Sequence, residues 1–315
     1  MNKRILFLYS DIKYKNQISE CEAVLKTVLR KFRKSAIFSY QYVDLAPSAS
    51  KETSDAIISL AQKHDALIWQ SGKDTMCEER IFASNVLGVF AKEQFIGGRC
   101  ICSPISKISV SKSDEAVSVH KEIFSDNISE TVQLAALRSQ MRKHSLLLCM
   151  DNTEPVDILL MKEFENSLGK ERAITASFQD FDEFVLESIY KIPAFDVLLT
   201  SEKNARTIAL HLSSLQRVPC GWVLWHAPKA HIYRREILPH EEMSNSAYAS
   251  FLIACADALC NDLKEKSAGE WLRRSTTLAL EQCKCGTAEE FLNEVIRRIN
   301  TPMRNRQVNS DDSEN

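Results

Sequence analysis

The chain alternates short apolar runs with longer segments in which apolar residues recur every three or four positions. Ile5 to Tyr9 is a continuous run of strand length. From Ile18 to Phe32, residues Val24, Leu25, Val28, Leu29 and Phe32 fall on one helical face. Ile37 to Val43 predicts a second strand, Thr53 to His64 a helix with Ala56, Ile57 and Leu60 inward, and Ala66 to Trp69 a third strand. Ile81 to Phe95 repeats the helical spacing and ends at Gly97-Gly98. Ile101 to Val110 is Ser-rich and alternating, the pattern of strand and turn. Helices are predicted over Asn127 to Lys143, Val156 to Leu168, Phe181 to Tyr190 and Asn204 to Leu215, with strands at Ser145 to Met150 and Phe195 to Thr200. Val218 to Trp225 reads as irregular and aromatic. Ala247 to Leu263, Trp271 to Gln282 and Ala288 to Ile299 predict three closing helices, and the polar residues 302–315 a disordered tail. Strands alternating with helices predict an α/β protein whose largely parallel sheet is flanked by helices.

Composition narrows the class. Lys+Arg is 40 against Asp+Glu 42, a net charge of -2, so no global positive field exists to hold nucleic acid or an anionic membrane. No apolar run reaches membrane-spanning length, and the apolar stretch in MNKRILFLYS is too short for a signal peptide, so a cytoplasmic location is expected. Of ten cysteines, only Cys100-x-Cys102 and Cys283-x-Cys285 are close pairs, and neither has zinc-ribbon spacing. On a strand Cys100 and Cys102 share a face; they read as structural thiols. Glycine is sparse, with no G-x-G-x-x-G and no Walker A pattern, and Gly72-Lys73-Asp74 reads as a turn. His226 and His231 share a segment with Trp222, Trp225 and Tyr233. Only Cys220 and Glu236 stand nearby as further ligands, which fits packing or surface roles. The cluster Asp180, Asp182, Glu183 and Glu187 fits an acidic helix start.

The stretch DFDEFVLESIYKIPAFDVLLTSEKNARTIALHLSSL resembles the dimer segment of the isocitrate/isopropylmalate dehydrogenase family, with Phe195-Asp196-Val197 on its strand and Leu212-Ser213-Ser214-Leu215 at its helix end. Four further pieces follow in the family's order. Leu147 to Asp151 resembles the strand that delivers its catalytic Lys, and Arg99 the Arg of its N-L-R-P strand. Tyr233 to His240 resembles its cofactor loop, and Cys285 to Phe291 its C-terminal G-T-x-x-F. The resemblance implies a two-domain isopropylmalate dehydrogenase-like fold. Residues 1–98 and 218–301 would form a large, discontinuous α/β domain, and residues 99–217 a smaller dimerisation domain.

In that family a divalent metal held by three Asp residues polarises a 2-hydroxy acid for NAD(P)-linked oxidation and decarboxylation. Carried over, the site mostly fails. Asp182 matches the metal Asp supplied across the dimer, but the other two Asp positions fall at Arg206 and Leu210. The catalytic Lys position falls at Asn152, and a substrate-Arg position on a helix at Val89. Ser10 to Tyr14 replaces the glycine-rich loop after the first strand. Arg99, Asp182 and Arg206 remain as substrate-cleft candidates and His240 as a cofactor contact. Val197 to His240 contains no Asp, so sliding the alignment restores no ligand pair. The reading expects the ancestral NAD(P) and Mg2+/Mn2+ to be lost and the chain kept for binding, regulation or assembly. It would act as a homodimer through residues 99–217, or beside an active paralogue in a hetero-oligomer. The rival reading is an active enzyme of the same superfamily, a 2-hydroxy-acid dehydrogenase or one of altered chemistry, using the interdomain cleft.

Overall fold

A computed structural model describes residues 3–44, 51–70, 87–96, 99–105, 107–113, 116–122, 125–141, 145–167, 174–216, 222–227, 230–235, 245–282 and 286–301. His240, Gly97-Gly98, Gly72-Lys73-Asp74, Cys220, Glu236, Cys283, Cys285 and the tail from Pro302 lie outside the described residues.

The chain opens with β1 (Lys3–Tyr9), α1 (Ile12–Lys31), β2 (Ala36–Tyr42), α2 (Lys51–Ala61) and β3 (Ala66–Gln70). Ile5 to Leu8 are buried, as a central parallel strand demands. α1 begins earlier than its apolar spacing suggests. Asp11 caps it, its Oδ1 accepting from Lys13 N at 2.9 Å, so Ile12 to Tyr14 are helical rather than part of a loop. Next come β4 (Ala91–Ile96), β5 (Arg99–Pro104), and a separate antiparallel ribbon of β6 (Lys107–Ser113) and β7 (Ala116–Glu122). They are followed by α3 (Ser125–Gln140), β8 (Ser145–Met150), α4 (Pro155–Ser167), β9 (Thr175–Asp180), α5 (Phe181–Tyr190), β10 (Val197–Leu199) and α6 (Glu202–Gln216). The hairpin strands β11 (Trp222–Ala227) and β12 (Ala230–Arg235) precede α7 (Asn245–Asn261), α8 (Lys266–Gln282) and α9 (Ala288–Asn300).

Three expectations are corrected. Ala91 to Phe95 is strand β4, not the end of a helix, and Val89 is buried in the segment before it rather than on a helix. The polar Lys92, Glu93 and Gln94 mimic an amphipathic helix, but backbone pairing with β5 and β11 places them inside the sheet. Trp222 to Trp225, expected to be irregular, belongs to a regular hairpin that runs to Arg235. β9, unforeseen, is an edge strand in which four of six residues are exposed, so it carries no apolar alternation.

The ten-stranded sheet has the order β2-β1-β3-β12-β11-β4-β5-β10-β8-β9. Its flanks pair in parallel, while the successive pairs β12/β11, β11/β4 and β4/β5 are antiparallel. Three reversals in a row make β2, β1, β3 and β12 run opposite to β5, β10, β8 and β9. The sheet is thus two parallel halves joined back to back through β11 and β4. Each half has its own helices. Phe7, Ile68 and Leu224 pack under α1 and α7 on one face, with Leu8, Trp69 and Trp225 on the other face near α2. In the second half, Cys100, Cys102 and Leu148 pack under α3 and α4. Ile101, Leu147 and Leu198 pack under α5 and α6.

Candidate functional site

The turn after β8 and the start of α6 are clamped by one carboxylate. Asp157, fully buried in the first turn of α4, accepts from Asp151 N at 3.1 Å, Ser201 N at 2.5 Å and Asn204 Nδ2 at 2.7 Å. Burial pushes its carboxyl up from the usual range, while those hydrogen bonds oppose the change. This fixes the carboxyl ends of two parallel strands, the edge where open α/β sheets place ligands. Asn152 lies exposed in that turn, and Asp182 is exposed in the first turn of α5 just beyond the end of β9. Asp180, not Asp182, caps α5, its Oδ1 accepting from Asp182 N at 2.9 Å. Arg206 is exposed on α6, and Leu210, one turn on, is half-buried.

Arg99 is not with them. Cys100 is level with Val197 and Val197 with Leu146, so Arg99 stands level with Ser145, at the amino end of these strands. Five residues of strand put it roughly 17 Å from the Met150 end. There its guanidinium lies 5.3 Å from the ring centroid of Phe195. The structure therefore gathers Asn152, Asp182 and the first turns of α6 at one edge of the half-sheet and leaves Arg99 at the other.

At this edge α6 presents a guanidinium and a leucine rather than carboxylates, and among the described residues no three His, Cys, Asp or Glu ligand atoms converge here.

The two faces of β4 carry the chemistry that the sequence hid. On one face lie Lys92 and Gln94, level with Ser103 and Ile101 of β5; Arg234 of β12 occupies the same face two strands away. Lys92, Gln94, Ser103 and Arg234 are each at most 6% exposed. The Arg234 guanidinium lies 5.1 Å from the Trp225 ring. These residues form a polar seam between the core containing Trp225 and the core containing Ile101, which do not merge on this face. Among the described residues, neither amide atom of Gln94 nor the hydroxyl of Ser103 has a hydrogen-bond partner.

On the opposite face, Glu93 is wholly buried. Arg138 of α3 grips it bidentately, Nε to Oε1 at 2.7 Å and Nη2 to Oε2 at 2.8 Å, and His226 Nε2 lies 2.7 Å from Oε2. Burial alone would raise the Glu93 carboxyl; the His226 and Arg138 hydrogen bonds outweigh it and hold it down, to about 2. The Cys100 and Cys102 thiols complete the cluster, 3.4 Å and 3.9 Å from Glu93 Oε1. His226 in turn meets His231 edge-on across the hairpin, and His231 Nδ1 reaches Asp262 at 3.0 Å. His226 and the Cys100/Cys102 pair stand out in the sequence singly; Glu93 and Arg138 do not.

Two opposed parallel half-sheets joined through a central antiparallel pair define the isocitrate/isopropylmalate dehydrogenase fold. No protein-family model matches the chain, and no curated protein matches it significantly. Among solved structures, it is similar to the TT0538 protein of Thermus thermophilus, at 14% identity and a TM-score of 0.71, over 98% of this chain and 70% of that one. It is also similar to isocitrate dehydrogenase from Methylococcus capsulatus, at 13% identity and a TM-score of 0.70, over 96% of this chain and all of that one. A beta-decarboxylating dehydrogenase from Thermococcus kodakarensis matches at 12% identity and a TM-score of 0.63, over 94% and 96%. At these identities the likeness establishes the fold. Among the described residues, no helix is long and apolar enough to cross a membrane.

Proposed function

We propose that this chain is a small-anion-binding member of the isocitrate/isopropylmalate dehydrogenase superfamily that has lost metal-dependent, NAD(P)-linked oxidative decarboxylation. The observation that carries the binding half is the seam of Lys92, Gln94, Ser103 and Arg234. A buried polar group left without a partner costs about 1–3 kcal/mol. The Gln94 amide and Ser103 hydroxyl therefore favour a guest that accepts and donates hydrogen bonds, and the cationic Lys92 and Arg234 beside them, each also engaged by other groups, make an anion the guest to test. The loss of chemistry is supported by Arg206 and Leu210 on α6 and by Asn152 after β8. In this reading NAD(P) and Mg2+/Mn2+ are ancestral cofactors only.

The chain acts as a homodimer through residues 99–217, or with an active paralogue. The apolar exposure concentrated there supports it: Phe178 on the edge strand β9, and Leu186, Ile189 and Tyr190 on α5.

The test uses the full chain. With isocitrate, 3-isopropylmalate or tartrate, NAD+ or NADP+, and Mg2+ or Mn2+, no nicotinamide reduction above buffer is expected. Calorimetry with oxalate and with inorganic phosphate should show saturable binding of at least one of them, weakened tenfold or more by Gln94→Leu. Turnover, or Mn2+ held by Asp182, would refute the loss. Failure of both anions to bind would refute the seam.

A further inference from the structure

We infer that Cys100, Cys102 and Glu93 form a buried binding site for a thiophilic divalent cation, Zn2+ in the first place, with Arg138 and His226 orienting the carboxylate. This site lies on the face of β4 opposite the anion seam and does not rest on that reading.

The geometry is that of a tetrahedral face. Two thiolates bound to Zn2+ at about 2.3 Å stand roughly 3.8 Å apart, and a carboxylate oxygen at about 2.0–2.2 Å stands roughly 3.6 Å from each sulfur. Here the two Sγ atoms are 3.8 Å apart, and Glu93 Oε1 lies 3.4 Å and 3.9 Å from them. Among the described residues no other His, Cys, Asp or Glu side chains bring three ligand atoms together so closely. The convergence follows from the sheet. Residues i and i+2 of β5 share a face, and the register sets Glu93 directly across from Cys102.

Charge and surroundings point the same way. All three ligands are fully buried, so a bound ion must leave the site close to neutral. Two thiolates and Glu93 supply three negative charges; a dication and Arg138 supply three positive ones. Binding breaks two S–H bonds, forms two S–Zn bonds and releases two protons to solvent, so affinity falls as pH falls. Glu93 is already held by Arg138 on both oxygens and by His226 on Oε2, the outer hydrogen bonding that fixes a metal-ligating carboxylate. Thiolates select Zn2+ over Mg2+ or Mn2+. The site is thus chemically separate from the three-Asp metal site that the sequence resemblance implies. Three protein ligands leave the fourth corner to a water. Because the ligands are shut in the core, the ion enters as the chain folds.

The full chain is unfolded under reductant without oxygen and refolded with Co2+ as the spectroscopic stand-in. One Co2+ per chain is expected, with the intense visible bands of tetrahedral cobalt and a thiolate-to-cobalt band in the near ultraviolet, all displaced by Zn2+. The double variant Cys100→Ser/Cys102→Ser should abolish the thiolate band, while the double variant Cys283→Ser/Cys285→Ser should keep it. X-ray absorption of the Zn2+-loaded wild-type chain needs no variant to fold. Two sulfurs at about 2.3 Å and lighter atoms at about 2.0–2.2 Å are expected. Absence of binding, a thiolate band that survives in the double variant Cys100→Ser/Cys102→Ser, or a shell with four sulfurs or none would overturn the inference.

Discussion

Arg138→Met isolates the largest electrostatic commitment in the core. Glu93 is fully buried, and its carboxyl falls from the ordinary 4.5 to about 2 in the folded chain. That difference of roughly 2.5 pH units corresponds to about 3 kcal/mol of stability shared between its two hydrogen-bonding partners. The sign follows from linkage. A carboxyl depressed on folding contributes fully above the unfolded value near 4.5, and the contribution disappears as pH falls towards 2. Removing Arg138 leaves the carboxylate in the core with His226 alone, a change that costs roughly 3–5 kcal/mol where one half of a buried pair is deleted. Burial is then opposed by His226 alone, so the folded-state carboxyl rises and the penalty shrinks as the pH falls low enough to protonate it. Urea unfolding in the presence of chelator, followed by the fluorescence of the buried Trp69 and Trp225, measures this directly. At pH 7 the variant should lose about 3–5 kcal/mol, and at pH 4 distinctly less. Adding Glu93→Leu to Arg138→Met should recover most of the loss, because no lone charge remains. A loss below about 1 kcal/mol at pH 7, a loss independent of pH, or a double variant weaker than the single would refute the reasoning.

Three other experiments probe the remaining structure. Gly269→Ala should lower the midpoint of thermal unfolding, at a cost of about 1–3 kcal/mol, because a Cβ there would run into the Ala256 carbonyl oxygen and Cys260 Sγ where α8 crosses α7. Gly286→Ala, whose Cβ would meet nothing nearer than 3.6 Å, is the control, and equal midpoints for the two would contradict the close crossing. Gln94→Leu should stabilise the chain by about 1–2 kcal/mol in urea while weakening anion binding, since it removes unpaired buried polar atoms; a net loss of stability would show the amide to be satisfied. Leu186→Asp with Ile189→Asp, both on exposed positions of α5, should turn a dimer into a monomer by light scattering without changing the far-ultraviolet circular dichroism, and an unchanged mass would remove α5 from the interface.

The parts of the fold legible in the sequence are those whose burial follows one local period. β1, β3 and β8 are continuous apolar runs, and α5 is bounded residue for residue by its pattern and its acidic start. The parts that are not legible owe their character to distant partners. β4 contains Lys, Glu and Gln in succession and is buried only because Arg138 lies 45 residues away and His226 133 residues away in sequence. No local spacing links those three residues. β11 and β12 pair as far as Ala227 and Ala230, and the sequence between those residues, Pro228-Lys229, carries no Asn-Gly or Asp-Gly signal of a tight hairpin. Arg99 resembles a substrate arginine by its place in the sequence, yet the strand register carries it to the opposite edge from Asn152.

The alternation of β4 explains why the chemistry collects there. Side chains along a strand point to opposite faces in turn, so Lys92 and Gln94 enter the anion seam while Glu93 enters the thiol cluster. β4 and β11 are also where the two opposed half-sheets meet. On the Glu93 face, Phe95 packs against both neighbouring cores and α3 sends Arg138 down, so the junction closes. On the Lys92 face no apolar residue among those described plays that bridging part, and the junction stays polar. A one-residue slip of β4 would place Glu93 beside the Ser103 side and Lys92 beside the thiols, exchanging the charges of both sites at once. The ion pair with Arg138 forbids that slip, because it would bury two cations together. The same pair that costs desolvation energy therefore sets the register on which both proposed sites depend.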